Sequence, residues 1–271
     1  METLNIRSGN ISISYLLKPS ANPKTTVVFL HGFPFDKSTW LKQLHALPET
    51  VQGVAYDIRG FGDSSFDHFF FSIDLFAKDL IKLIADLNLG NCILCGVSMG
   101  GYIALRACEI SPETFKGLIL CDTNCVADSN ESKLKRVSSI ELIHNGKKAE
   151  FTEGFLMSVF PENTLINSTD TVASSRNVIL NTRNETICAA QLALASRTDT
   201  SHVLSAIKIP TLIIRGEDDK LMSEEQTTQL HKGISESEFI VIPDSGHLPN
   251  LDNPDAFNLA LNNFLHKHFI A

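Results

Sequence analysis

The chain has no concentration of basic residues. Its 271 residues include 23 Lys and Arg against 31 Asp and Glu, a net charge of −8. Tracking a phosphate backbone takes a clustered positive face, so no nucleic-acid partner is expected. Long apolar runs are missing too. None reaches the roughly 20 residues that span a bilayer as a helix, so no membrane partner is expected. Met1 to Gly9 contains Glu2 and Arg7 and has no apolar core of signal-peptide length. Cytoplasmic residence is the expectation, and the sequons at Asn167 and Asn184 then carry no weight.

A disulfide framework is not expected either. Six cysteines in a cytoplasmic chain of this length are better read as small core residues. Cys92 and Cys95 have the gap of a zinc knuckle, but no second pair has matching spacing. Cys121 and Cys125 bracket a strand end, and Cys108 and Cys188 fall in helical patterns. No metal and no organic cofactor is implied.

What is present is an apolar fraction of 43%, enough for a substantial core. Short apolar runs alternate with helical patterns. Strands are expected at Ile11 to Leu17, within an initial hairpin, and at Thr26 to Leu30, Val51 to Tyr56, Asn91 to Cys95 and Gly117 to Cys121. Helices are expected at Ser38 to Leu47, Ser72 to Leu87 and Met99 to Cys108. Such alternation specifies an α/β fold with a mostly parallel sheet covered on both faces. The alternation stops after Asp122. From about Val126 to Thr200 the chain reads as helices only: Ser132 to Asn145, Ala149 to Phe160, Val172 to Thr182 and Glu185 to Ser196. It resumes with strand Thr211 to Arg215, helix Ser223 to His231, strand Glu238 to Ile242 and a closing helix, Pro254 to Phe269. The expected organisation is one core in two parts, 1–125 and 201–271, interrupted by a helical cap at 126–200. Loops from the carboxyl ends of parallel strands sit over the ligand crevice, so the insertion should shape a substrate pocket.

The chemistry is concentrated in Gly96-Val-Ser-Met-Gly100. This run lies between a strand and a helix, which is the setting of a nucleophile elbow that exposes Ser98. A serine hydroxyl needs a base, and His247 follows a late strand in the loop Pro243-Asp-Ser-Gly-His. A carboxylate should orient that imidazole. Glu217, Asp218 and Asp219 all follow strand Thr211 to Arg215, and spacing alone does not choose between the two aspartates. Asp122, at the end of an earlier strand, is read first as a cap on the start of the insertion. Acyl transfer also needs oxyanion donors. The backbone N–H groups of Met99 and Phe33 are the candidates, with Gly32 permitting close approach and Pro34 lacking an N–H.

These residues carry a resemblance. The chain resembles the α/β-hydrolase superfamily over essentially its whole length. The signals are His31-Gly-Phe-Pro, Asp57-Ile-Arg-Gly-Phe-Gly-Asp-Ser, Gly96-Val-Ser-Met-Gly-Gly, Gly216-Glu-Asp-Asp and Gly246-His247, in the family order. The resemblance implies Asp219 as the acid, with Asp122 a further candidate because some members place the acid after that earlier strand, and Phe33 and Met99 as the oxyanion donors. It implies structural roles for Asp57, Arg59, Gly60, Gly62, Arg197 and Asp199. Among capped members the chain is most similar to 3-oxoadipate enol-lactonases, small carboxylesterases and cofactor-free haloperoxidases. Two departures stand out: Val97 where many relatives have His, and Met222 where many have Pro. The implied reaction is hydrolysis of a small-molecule ester or lactone through an acyl-enzyme. Enol-lactone or C–C bond hydrolysis are rivals that use the same residues. A ligand receptor on a retained hydrolase fold is a rival of another class. Phe33, Phe35, Phe66, Phe69, Phe70 and Phe71 are expected in or near loops facing the crevice, favouring an apolar acyl or alcohol group.

Overall fold

The structure is a computed structural model that describes residues 1–270. An eight-stranded sheet forms its centre: β1 (Glu2–Ser8), β2 (Ile11–Lys18), β3 (Thr25–Leu30), β4 (Val51–Tyr56), β5 (Cys92–Val97), β6 (Phe115–Cys121), β7 (Thr211–Gly216) and β8 (Ser237–Ile242). Their spatial order is β1-β2-β4-β3-β5-β6-β7-β8. β1 and β2 pair antiparallel, β2 meets β4 antiparallel, and the remaining pairings are parallel. The initial hairpin is therefore β1 with β2. The exposed, half-buried alternation of β1 is the mark of an edge strand.

The central strands are buried along their whole length, as Thr25–Leu30 and Cys92–Val97 illustrate. Helices cover both faces of parallel sheets, which is why such strands read as continuous apolar runs. The flanking helices are α1 (Leu41–Ala46), α2 (Ile73–Asp86) and α3 (Met99–Ile110). The region expected to be helical holds α4 (Asn130–His144), α5 (Lys148–Val159), α6 (Glu162–Asn167), α7 (Thr169–Asn181) and α8 (Asn184–Ala195). Then come α9 (Glu224–Gly233), α10 (Pro249–Asp252) and α11 (Pro254–Leu265).

Three expectations change in detail. The expected helix Ser38 to Leu47 begins as a 3-10 turn, Lys37–Trp40, before α1. Asp36 caps that turn by accepting from the Ser38 N–H, which fixes its start. The closing helix ends at Leu265 and passes into a π-helical turn, His266–Ile270. α6 and α10 are too short to carry a helical period, so pattern reading passes over both. No helix among the described residues is long and apolar enough to cross a membrane.

All six cysteines are free, and five are buried. The strand directions decide where chemistry can gather. β3, β5, β6, β7 and β8 run parallel, so the loops that leave their carboxyl ends collect along one edge of the sheet.

Candidate active site

Ser98 sits between the last residue of β5 and the first of α3. Its backbone has φ 53° and ψ −115°, a conformation that costs a non-glycine residue roughly 1–3 kcal/mol. The two flanking glycines make the turn possible. A Cβ at Gly96 would lie 2.4 Å from the Gly100 carbonyl, and one at Gly100 would lie 2.2 Å from the Leu30 oxygen. The turn is fastened to the next strand as well. The Ser98 N–H donates to the Cys121 oxygen at 2.9 Å, and the Thr123 hydroxyl donates to the Ser98 oxygen at 2.9 Å. The half-buried Ser98 side chain opens onto a cavity.

Both expected oxyanion donors border this serine. Met99 is the first residue of α3, a position whose N–H has no partner within the helix. The loop after β3 comes close on the other side. A Cβ on Gly32 would stand 3.4 Å from the Ser98 Cβ, and Phe33 follows at once. His31 holds this loop. Its Nδ1 meets the Gly32 oxygen at 2.9 Å, and its Nε2 accepts from the Ile58 N–H at 3.0 Å. That second bond fixes the proton on Nδ1. Complete burial pushes the His31 pKa down, so the ring stays a neutral brace.

The expected acid and base meet directly. His247 Nδ1 lies 3.1 and 3.0 Å from the two Asp219 carboxylate oxygens, and both residues are buried. With Nδ1–H donated to Asp219, Nε2 is left to accept a proton. Burial pushes the Asp219 carboxyl up, but the charge and hydrogen bond of His247 outweigh it. The neighbouring Asp122 and the Leu221 N–H help to hold the group down at about 2. Asp218 is exposed and uses its backbone N–H on the Ser245 oxygen. Ser98 and His247 line one cavity, while the ring's hydrogen bonds run to Asp219 alone.

Asp122 lies behind this pair. It is fully buried, with φ 40°, and its Oδ1 accepts from the Gly216 N–H at 2.9 Å. Side-chain ligating atoms of Asp122, Asp219 and His247 all fall within 4.8 Å of one another. Such spacing could suit a metal ion. However, the imidazole nitrogen on the acids' side already donates to Asp219 and is not free to ligate.

The cavity holds about 610 Å³. Phe33, Tyr102, Phe151 and Phe155 give it an apolar wall, and Arg136, Arg197 and Lys220 bring cationic groups to it. Of the six phenylalanines expected near the crevice, Phe33 alone lines it. Phe35 is buried against Phe155, Phe71 packs on Phe76, Phe66 packs against Phe69 under Arg183, and Phe70 points to solvent. Loop position did not report side-chain direction. The aromatic wall comes instead from α5, where Phe151 and Phe155 meet Phe33 edge-on. A second cavity of about 300 Å³ lies beyond Tyr102 and Arg197 and includes neither Ser98 nor His247.

The residues expected to be structural are engaged as such. Asp57 accepts from the Lys37 N–H and Nζ and from the Asp63 N–H. Arg59 forms a bidentate pair with Asp79 at 2.7 Å for both bonds and also reaches Asp67. Arg197 binds Asp128 and the Val126 oxygen and lies 4.3 Å over the Tyr102 ring. Asp199 caps the Ser201 N–H at 2.7 Å. Arg197 also faces the cavity, which the sequence reading missed, as it missed Tyr102, Asn124 and Arg136. Met222, one of the two departures, lines the cavity with its sulfur 3.1 Å from Asn124 Nδ2.

Residues 25–254 match the family described as the alpha/beta hydrolase fold. A thermophilic esterase from Thermogutta terrifontis is 30% identical, with a TM-score of 0.90 over 99% of this chain and 100% of that one. The enol-lactonase from Burkholderia xenovorans LB400 also has a TM-score of 0.90, covering 97% of this chain and 100% of its own. At 22% identity that likeness speaks to fold. The karrikin insensitive 2 receptor CA of Petunia hybrida is 25% identical over 278 residues, spanning 97% of this chain and 99% of the relative.

Proposed function

Because the chain belongs to the alpha/beta hydrolase fold family, we propose that it is a serine hydrolase of small to medium carboxylic esters or lactones. The observation that carries this reading is the joint arrangement of three groups. Ser98 projects from a strained strand–helix turn, and His247, bound through Nδ1 to buried Asp219, borders the same cavity. The 30% identity to an esterase supports the ester branch.

In this mechanism His247 Nε2 takes the Ser98 hydroxyl proton as Oγ attacks the substrate carbonyl. The oxyanion that forms is met by the N–H groups of Phe33 and Met99. His247 returns its proton to the leaving oxygen, and the C–O bond breaks. A lactone keeps its alcohol tethered to the acyl group, whereas an open ester releases it. Water then loses a proton to His247 and attacks the acyl carbon, and Ser98 leaves with that proton. Asp219 stabilises the transient imidazolium throughout. Segment 126–200 acts as the cap that selects substrate, because its helix α5 contributes Phe151, Phe155 and Ser158 to the cavity wall.

The similarity to a plant receptor favours a second reading, in which the same groups bind and process ligand slowly as a signal. A panel of esters and lactones of graded chain length separates the two. Many turnovers per protein molecule support the hydrolase. One acyl equivalent per protein, with no further release, supports the receptor.

A further inference from the structure

The Asp122 carboxyl has no task in the acyl transfer, yet it is walled in with the acid–base pair. Its residue exposure is 0%, and its φ of 40° turns it back from the end of β6. Oδ1 accepts from the Gly216 N–H at 2.9 Å. Oδ2 is buried and finds no donor. An acceptor left in this state is costly, and a charged one more so. Its neighbour is another carboxyl, Asp219, from the loop after β7.

Two carboxylates this close and away from water do not both ionise. The donors around them decide which keeps its proton. Asp219 receives His247 Nδ1–H together with the backbone N–H groups of Leu221 at 2.8 Å and Met222 at 3.2 Å. Asp122 receives one backbone N–H. The charge therefore settles on Asp219, and the proton belongs on Asp122 Oδ2, the atom that otherwise has no partner.

We propose that Asp122 is a neutral carboxylic acid whose Oδ2–H donates to Asp219, a positioning residue for the acid–base pair. The inference rests on the assignment of Asp219 and His247 to the reaction. One proton lies between the two carboxyls and a second between Asp219 and the imidazole. The first hydrogen bond fixes the plane of the Asp219 carboxylate, and so the direction in which it holds His247. It also draws charge from that carboxylate. Burial pushes the Asp122 carboxyl well above its ordinary range, and the charge of Asp219 adds to this. The titratable groups facing it are Asp219, His247 and the buried thiol of Cys121 beside it.

The test compares Asp122→Asn with Asp122→Leu, using p-nitrophenyl acetate as the probe ester across the acid limb of kcat/KM. Asparagine tolerates positive φ, accepts from Gly216 through Oδ1 and donates to Asp219 through Nδ2, but carries no charge. Asp122→Leu should lower kcat about 10- to 100-fold, the scale of one buried hydrogen bond to a charged group. It should also move the acid limb to higher pH, because an undamped Asp219 holds the imidazolium more strongly. Asp122→Asn should restore most of that loss and return the limb to its native place. If Asn is as damaging as Leu and the limb moves to lower pH, Asp122 works as an anion and the proposal falls.

A readout independent of turnover keeps the idea testable if the Leu variant does not fold. The infrared difference between native protein and Asp122→Asn at neutral pH should show the carbonyl stretch of one protonated carboxyl in the native chain. Its absence overturns the proposal whatever the kinetics. An Asp219→Asn variant with full ester turnover would instead sink the acid–base assignment and leave the infrared band standing.

Discussion

Asp218 leaves its side chain in solvent, whereas Asp219 turns inward to His247. At the residue scale this difference makes a sharp prediction. Asp219→Asn should lower kcat by about 10⁴, the loss known for the equivalent acid of the chymotrypsin-type triad, while Asp218→Asn stays near native. Steady-state kinetics on both variants, at matched folding, checks it, and a larger loss in the Asp218 variant contradicts it. Asp219 also makes a stability prediction. Its folded-state pKa lies below its unfolded value, so the stability it supplies is complete above about pH 4 and is lost as pH falls through about 2. The amount is about 2 kcal/mol, an order-of-magnitude figure for a depression of this size. Denaturant unfolding between these limits should show the loss in native protein and a flatter profile in Asp219→Asn. The sequence alone left the two aspartates equivalent; a family resemblance separated them. The physical discriminator is which of two adjacent residues points inward after Gly216, and no composition or period records that.

At the scale of elements, the helical segment is bolted to the core around His247. The His247 N–H donates to the Val159 oxygen at the end of α5, at 2.9 Å. Asp252 accepts at 2.6 Å from the buried Thr164 hydroxyl of α6 and at 2.9 Å from the Gly246 N–H. Burial pushes Asp252 up to about 6 against these donors. Thr164 thus ties α6 to the histidine loop. Thr164→Val should cost about 1 kcal/mol of stability and lower kcat more than it alters KM, because the His247 loop loses its setting. Thermal unfolding and kinetics on one preparation check both parts, and a change confined to KM contradicts the second. Phe155, by contrast, touches Phe33 and Phe35 and lines the cavity. Phe155→Ala should shift the preferred acyl length upward in a series from acetate to palmitate. An unmoved profile contradicts a role for α5 in selection. The four longer helices of this segment were legible from the sequence. The link through Thr164 was not, because α6 has only six residues and joins Asp252 across 88 positions of chain.

At the scale of the whole molecule, parallel strand order does the assembling. Phe33, Ser98, Asp122, Asp219 and His247 are scattered over more than two hundred residues, yet each follows the carboxyl end of its own parallel strand. This is why the site was legible early. Alternating apolar runs mark the strands, the fold brings their ends together, and the chemistry-bearing residues need only follow those ends. The cavity's charged side was not legible. Arg136 arrives from α4 and Arg197 from the loop just after α8, and Asp128 draws both inward. Under the proposed function this edge presents one activated serine. The most direct measurement is fluorophosphonate labelling with the modified residue located by peptide mass spectrometry, alongside ester turnover of native protein and Ser98→Ala. The account predicts a single adduct on Ser98, and a Ser98→Ala protein that folds, takes no label and has lost turnover. Native-level turnover in Ser98→Ala, or label on any other residue, would contradict it.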